Sequence, residues 1–211
     1  MKYSVLSCIV IVLLFVSSGV DSASAKPLTK AERKAAIEYL KHTKRLFLDS
    51  VKGLSDEQLK WKAAPDRWSV FEVSEHIALA ESFIFDLISG QVMKAPANPT
   101  KTSGVTIEMI MAKVPDRTQK FPAPEPIRPD KSPWTTMPDT LTAFKQRRQT
   151  TIDFVDKGND DMRERFFMNP AFGQEIDAYL WIAFLSAHTE RHVKQILEVK
   201  ANANFPKKKG Y

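Results

Sequence analysis

Hydrophobic residues recur at helical spacing in four long stretches of the chain. The first stretch runs from Thr29 to about Lys52, and the second starts after Trp68 and ends at Gly90. The third runs from about Asp139 to Lys157, and the fourth from about Gln174 to Val199. Apolar positions within them lie three, four and seven residues apart, which is the period of an amphipathic helix. The pattern therefore predicts four helices, and it shows no strong signal for strands.

Residues at the ends of these stretches support the predicted bounds. Thr29 and Ser69 each precede a glutamate by three residues, which is the pattern of a capping box at a helix N-terminus. Gly53, Gly90 and Gly158 follow or close the first three stretches, where glycine commonly ends a helix. Four helices of this length are typical of a helical bundle.

The segment from about residue 94 to 138 has a different composition. It holds nine of the 13 proline residues, and its one apolar run, Val105 to Val114, indicates a short helix. Trp134 indicates that part of the segment packs onto the protein. We interpret it as a lid or insertion between the second and third core helices. The predicted fold class is thus all-α, a four-helix bundle with a Pro-rich insertion.

The first 25 residues have the layout of a secretory signal peptide. A basic start at Met1-Lys2 precedes an apolar run from Val5 to Val16 and the small triplet Ala23-Ser24-Ala25. We predict cleavage after Ala25, which leaves residues 26–211 as a single secreted or periplasmic domain without a stable membrane anchor. The run is shorter than the about 20 residues of a membrane span, and retention as an anchor is the alternative.

Composition excludes several kinds of chemistry. The single cysteine, Cys8, lies inside the predicted signal peptide, which excludes an intrachain disulfide framework and a cysteine-based metal site. The net charge of +6 permits an anionic partner. Basic residues of the first helix are not interleaved with aromatic ones, so we expect no nucleic acid to bind an exported chain. The sequence leaves a homodimer open.

Three of the four histidines fall on core-facing positions of the predicted helices. His188 and His192 are one helical turn apart on the fourth helix, and His76 lies on the second. Such a set brings three imidazole nitrogens together and leaves positions open for water or substrate, as in a catalytic metal site. From spacing alone, hydrogen-bonded core histidines are an equal alternative. His42 lies on the opposite face of the first helix, so we expect it to be exposed and not a ligand.

Several short motifs occur together in a fixed order. They are Leu54-Ser55-x-x-Gln58-Leu59-x-Trp61-Lys62, Trp68-Ser69-Val70, Glu75-His76-Ile77-Ala78 and His188-x-x-x-His192-x-x-Gln195-Ile196. In this order they resemble the DinB-like superfamily over most of residues 26–211, departing mainly in the Pro-rich insertion. The resemblance implies a four-helix bundle in which His76, His188 and His192 hold a divalent metal ion. Three imidazoles do not distinguish zinc, nickel and iron.

Three further residues are candidates for a catalytic role. Glu72 lies one turn before His76 and is a general base or fourth ligand, or else the partner of Ser69 in the capping box. Gln195 lies on the histidine face and binds a ligand or water, or else bridges two helices. Arg148 is the one charge on the apolar stripe of the third helix. Two roles are open for Arg148: it binds an anionic substrate, or it pairs with a carboxylate of the protein.

The resemblance also limits the expected function. Better understood members use low-molecular-weight thiols as transferases or isomerases, and many others are assigned only as metal-dependent hydrolases. Because those thiols are mostly kept in the cytoplasm, an exported chain favours a hydrolase of a small molecule over a thiol-dependent transferase. The alternative is a protein that binds a metal or small ligand without turnover.

Overall fold

The computed structural model describes residues 27–158 and 161–207. The predicted signal peptide over residues 1–25 lies outside the described residues, so its prediction stands untested. Within the described ranges, no helix is both long enough and apolar enough to cross a membrane.

Six α-helices and one hairpin make up the described chain. In chain order the elements are α1 (Lys30–Val51), α2 (Asp56–Lys60), α3 (Val70–Gly90), α4 (Ile107–Lys113), α5 (Met137–Lys157), β1 (Phe166–Asn169), β2 (Gln174–Asp177) and α6 (Ala178–Lys200). The four long helices, α1, α3, α5 and α6, form the bundle, which confirms the predicted fold class. The hairpin is an addition to that prediction.

The long helices pack in a ring whose order differs from their order in the chain. The extensive contacts are those of α1 with α6, α6 with α3, α3 with α5 and α5 with α1. Helix α1 is therefore diagonal to α3, and α5 is diagonal to α6. This arrangement makes α3 and α6 direct neighbours, although about 90 residues separate them in the chain. It is the contact that places His76 opposite His188 and His192.

The capping residues act as their pattern predicts. The side chains of Thr29 and Ser69 accept hydrogen bonds from the backbone N–H groups of Glu32 and Glu72, and both glutamates return the bond to the cap residue. Each pair satisfies two backbone donors that a helix N-terminus otherwise leaves without a partner. Gly53 has a φ of 69°, which suits glycine directly after the end of α1.

The fourth helix starts later than predicted, because a strand occupies its expected first turn. Gln174–Asp177 pairs antiparallel with Phe166–Asn169, and Gly173 takes a φ of 64° in the connecting turn. The side chain of Asp177 then accepts a hydrogen bond from the N–H of Leu180 at 2.9 Å and caps α6. The prediction of a helix from Gln174 and the absence of a strand signal were therefore wrong.

The Pro-rich insertion is ordered by packing on the bundle. Helix α4 lies within the predicted apolar run, and single 3₁₀ turns occur at Val92–Lys94, Glu125–Ile127 and Pro129–Lys131. Ile110 and Ile127 are buried in the core, and Trp134 packs against the apolar cluster around Phe47 and Phe144. The insertion therefore covers one side of the bundle, next to α3 and α6.

Candidate metal centre

Three histidine side chains converge between α3 and α6. His76 comes from α3, and His188 and His192 come from successive turns of α6. One nitrogen of each ring lies within 4.8 Å of the other two. The ring centroids of His76 and His192 are 4.2 Å apart, and those of His188 and His192 are 4.5 Å apart. The structure thus brings together the three histidines that the sequence identifies as candidate metal ligands.

Hydrogen bonds fix the orientation of two of these rings. His76 Nδ1 lies 2.7 Å from the carbonyl oxygen of Ile127, and a carbonyl only accepts, so Nδ1 carries the proton. His192 Nδ1 lies 2.8 Å from Gln195 Oε1. The same oxygen accepts from Arg117 Nη1 at 3.3 Å, which identifies it as the oxygen end of the amide. His192 Nδ1 is therefore also a donor.

With both Nδ1 atoms protonated, the two Nε2 atoms carry lone pairs. They face each other at 3.0 Å in a buried site. No proton is left to form a hydrogen bond between two neutral rings in this tautomer, so the lone pairs repel. A shared divalent cation removes that repulsion, and neutral imidazole nitrogen is a good ligand for such ions. The donor set therefore fits a metal ion.

Burial keeps these imidazoles in the metal-binding form. Desolvation lowers the pKa of His76 to about 4, although the hydrogen bond to Ile127 opposes the shift. Burial also lowers the pKa values of His188 and His192 well below 6.5. His76 lowers the pKa of His188 further, and His188 and His76 lower that of His192. All three rings are thus neutral near pH 7.

His188 marks the accessible side of the cluster. His76 and His192 are 2% and 8% exposed, whereas His188 is only half-buried. Beside it the ring of Phe184 lies 6.3 Å away, and Phe184 in turn contacts Trp181 and Phe172. Phe184 and Phe172 are half-buried and Trp181 is buried, and together these rings form an aromatic wall beside His188.

The insertion supplies groups around the cluster that sequence reasoning missed. The Ile127 carbonyl orients His76, and Arg117 reaches Gln195. Arg117 also donates two hydrogen bonds to the carboxylate of Glu198, at 2.7 and 2.9 Å. Every residue has a carbonyl, so nothing in the sequence singles out Ile127. Arg117 is separated from Gln195 by 78 residues and lies in a segment without periodic structure.

A second arginine anchors the insertion to α6. Arg191, the residue before His192, donates hydrogen bonds to the backbone carbonyls of Val114, Asp116 and Gln119. Its guanidinium also lies over the ring of Phe121, 5.6 Å from the centroid. Arg191, on the helix that carries His188 and His192, thus binds the backbone of the insertion at three positions.

Glu72 bonds residues outside the histidine cluster, whereas Gln195 bonds a histidine of the cluster. One oxygen of Glu72 accepts from the backbone N–H of Ser69 at 2.7 Å, and the other accepts from Lys62 Nζ at 2.9 Å. Both oxygens are therefore engaged in the cap and an ion pair, and among the described residues the candidate ligand cluster consists of the three histidines. Gln195, by contrast, contacts a cluster histidine directly. It is a positioning residue for His192.

Arg148 lies in the core. It is fully buried, and its Nε and Nη2 bind both oxygens of Glu81, at 2.7 and 2.6 Å. Its remaining donors bind the Leu40 carbonyl and the hydroxyls of Thr43 and Thr189. All five N–H groups of the guanidinium are thus engaged. Of the two alternatives, Arg148 is therefore the one that pairs with a carboxylate, and it has no donor left to bind a substrate.

His42 is exposed on α1, as expected from its position on the helix. It lies outside the histidine cluster. It is therefore a natural control for substitutions of the cluster histidines.

Comparisons with known proteins agree with the fold of this chain. The model of the DinB superfamily matches residues 39–196. The uncharacterized protein YuaE of Bacillus subtilis (strain 168) is 29% identical over 154 residues, which cover 72% of this chain and 89% of YuaE. The solved structure of YfiT from Bacillus subtilis, described as a probable metal-dependent hydrolase with an unusual four-helix bundle topology, superposes with a TM-score of 0.54. The match covers 83% of this chain and 89% of YfiT at 13% identity, so it shows the fold alone. Because the family match spans most of the chain, the protein belongs to the DinB superfamily.

Proposed function

We propose that the three-histidine cluster binds one divalent ion, zinc, nickel or iron, and that the protein is a metal-dependent hydrolase of small molecules outside the cytoplasm. One observation carries the proposal: the Nε2 atoms of His76 and His192 face each other at 3.0 Å while both Nδ1 atoms are donors to other groups. The description of YfiT as a probable metal-dependent hydrolase supports the reaction class. The composition of residues 1–25 supports the location.

Residues of this chain hold the site in a form ready for hydrolysis. When bound, a divalent ion supplies Lewis acidity, which activates water and polarises a scissile carbonyl or phosphoryl group. The Ile127 carbonyl and the Gln195 amide keep both Nε2 lone pairs aimed at one point. Three neutral imidazoles leave the full positive charge of the ion uncompensated, which favours activation of water near neutral pH.

The aromatic wall indicates what the substrate carries. Phe184 lies next to His188, with 6.3 Å between the ring centroids, and in turn contacts Trp181 and Phe172. We infer that the group bound next to the scissile bond is apolar or aromatic, because such a group packs favourably on these rings. Aromatic esters are therefore the first substrates to test.

The function is tested on residues 26–211 loaded with zinc, nickel or iron in turn. The panel contains p-nitrophenyl acetate, p-nitrophenyl phosphate and an aromatic amide, and metal content is measured by elemental analysis. We expect about one ion per chain and hydrolysis of at least one aromatic substrate. Both the ion and the activity should be absent from His188→Ala/His192→Ala, while His42→Ala should keep both.

Three results would contradict parts of the proposal. Bound metal without hydrolysis of any substrate in the panel would favour the binding protein over the enzyme. A chain that takes up no ion on titration would reduce the three histidines to core residues. Activity that persists in the double variant would place catalysis elsewhere.

Gln195→Ala is expected to weaken metal binding about 10- to 100-fold, the usual effect of removing a group that orients a ligand. The reason is that His192 Nδ1 loses its acceptor, so the ring is free to rotate or to place its proton on Nε2. Competition with a chromophoric chelator measures the affinity. Gln195→Glu keeps an acceptor oxygen and should bind metal nearly as well as the natural chain. Equal affinities for all three proteins would show that Gln195 has no part in the site.

A further inference from the structure

A cavity lies between α1, α4 and α6, on the far side of α6 from the histidines. Its volume is about 190 Å³. Six of the residues that form its wall are Ala36, Tyr39, Ile107, Met111, Ala183 and Ser186. Ser186 and His188 are two residues apart, which separates their directions on the helix by about 200°. The cavity is therefore distinct from the candidate metal centre.

Small side chains create this space. Ala36 on α1 and Ala183 on α6 are buried where the two helices pack, and neither fills the gap under α4. Ile107 and Met111, one turn apart on α4, close the outer side. The wall is mainly apolar, which favours an apolar body in the cavity.

Ser186 gives the cavity its polar feature. The residue is fully buried, and in the part of the chain that the structure describes its Oγ has no hydrogen-bond partner. A serine inside a helix ordinarily bonds the carbonyl four residues earlier, as Ser74 does with Val70 at 2.7 Å. A buried hydroxyl without a partner is uncommon in proteins and calls for an explanation. Ser186 is among the residues that line the cavity, so a ligand group there supplies the missing partner once the neighbouring side chains shift slightly to uncover the Oγ, which has almost no accessible surface in the structure.

The surroundings of the cavity favour an uncharged ligand. The hydroxyl of Tyr39 donates to Glu190 at 2.9 Å, so a carboxylate already lies beside the cavity. Glu38 at its rim is a second one. Both carboxylates are paired with lysines, Glu38 with Lys34 and Glu190 with Lys194, so neither is a free counter-ion for a charged ligand. An ion of either sign would give up its hydration for a mainly apolar wall, which is costly. The ligand is therefore uncharged.

We propose that this cavity is a second binding site, for a small uncharged aromatic molecule whose single hydroxyl group hydrogen-bonds Ser186. The size agrees, since an apolar protein cavity of about 150 Å³ holds benzene. Phenol has this shape and chemistry, and toluene is its counterpart with a methyl group in place of the hydroxyl.

The test is a titration of ¹⁵N-labelled, metal-free protein with phenol and with toluene in the presence of EDTA, so that phenol has no metal to ligate. We expect saturable shifts of the backbone amides of Tyr39, Ala183 and Ser186. Ser186→Ala should lower the preference for phenol over toluene about fivefold, the usual value of one neutral hydrogen bond. Ser74→Ala removes a buried hydroxyl that already has a partner and should leave the preference unchanged.

A second experiment fills the cavity with a larger side chain. Ala183→Leu should abolish binding of both molecules, and Ala183→Val serves if the larger side chain prevents folding. His188→Ala/His192→Ala should bind phenol as the natural chain does. Three results would overturn the proposal: no saturable shifts up to millimolar phenol, shifts centred on His76 and His192, or the same phenol preference in Ser186→Ala as in Ser74→Ala. The first means that the cavity holds water only.

Discussion

Saturation with a divalent ion is expected to raise the melting temperature of residues 26–211 by roughly 8–16 °C. An ion that binds only the folded chain adds about 4 kcal/mol to the free energy of unfolding when its free concentration is about 1,000 times Kd. For a chain of this length each kcal/mol corresponds to roughly 2–4 °C. The gain is large because the ion also relieves the repulsion between the Nε2 atoms of His76 and His192. Calorimetry with and without zinc, nickel or iron measures it.

Histidine variants show whether this gain comes from the cluster. His188→Ala/His192→Ala should melt at the same temperature with and without the ion. His42→Ala removes an exposed histidine from α1 and should keep the full increase. An equal increase in both variants would mean that the ion binds elsewhere on the surface. An unchanged melting temperature in the natural chain would remove the basis of the proposed function.

Arg148→Met is expected to lower the free energy of unfolding by about 3–5 kcal/mol, the usual cost of removing one partner of a buried ion pair. The change leaves the Glu81 carboxylate without its cation in a site where both side chains are fully buried. Such a loss is a large part of the 5–15 kcal/mol that typically stabilises a folded domain. Urea unfolding measures it. The control is Arg147→Met, because Arg147 pairs with the exposed Asp86 and should contribute about 1 kcal/mol or less.

The double variant Arg148→Met/Glu81→Leu should recover most of that loss, since it leaves no unpaired charge. The threonines around Arg148 keep partners without it. Thr43 and Thr189 also bond the carbonyls of Tyr39 and Leu185. A double variant as unstable as Arg148→Met would show that the arginine contributes more than its charge pair. All folded variants should bind metal like the natural chain, because Arg148 is a core residue and has no part in the cluster.

The parts of the fold that depend on local sequence were predictable. Thr29 and Ser69 mark the N-termini of α1 and α3, because each forms hydrogen bonds with a glutamate three residues later. The histidine pair follows from the period of α6, and the family motifs place His76 opposite it. The second strand was missed because Gln174–Asp177 leads without interruption into an apolar helix. Its pairing with Phe166–Asn169 is a tertiary contact that the helical period conceals.

The surroundings of the site were less predictable for a different reason. Gln195 was recognised because it shares a helical face with His192. The two alternatives were a bond to a ligand or water and a bridge between helices, and the bond to His192 on the same helix, at 2.8 Å, was not foreseen. Arg148 was recognised as unusual on an apolar stripe, but its partner Glu81 lies 67 residues away on α3. The Pro-rich segment carries no period from which its contacts follow.

The anchor formed by Arg191 has a consequence for how this protein diversifies. Its hydrogen bonds to the insertion all go to main-chain oxygens, at Val114, Asp116 and Gln119. Such bonds do not depend on the side chains at those three positions, so substitutions there leave the hydrogen bonds that fix the path of the backbone intact. Conversely, a single substitution of Arg191 removes all three of these hydrogen bonds. The hydrogen bonds from Arg191 therefore place no demand on the side chains at these three positions, whereas Arg191 itself, and Arg117 with its side-chain bond to Gln195, are constrained in sequence.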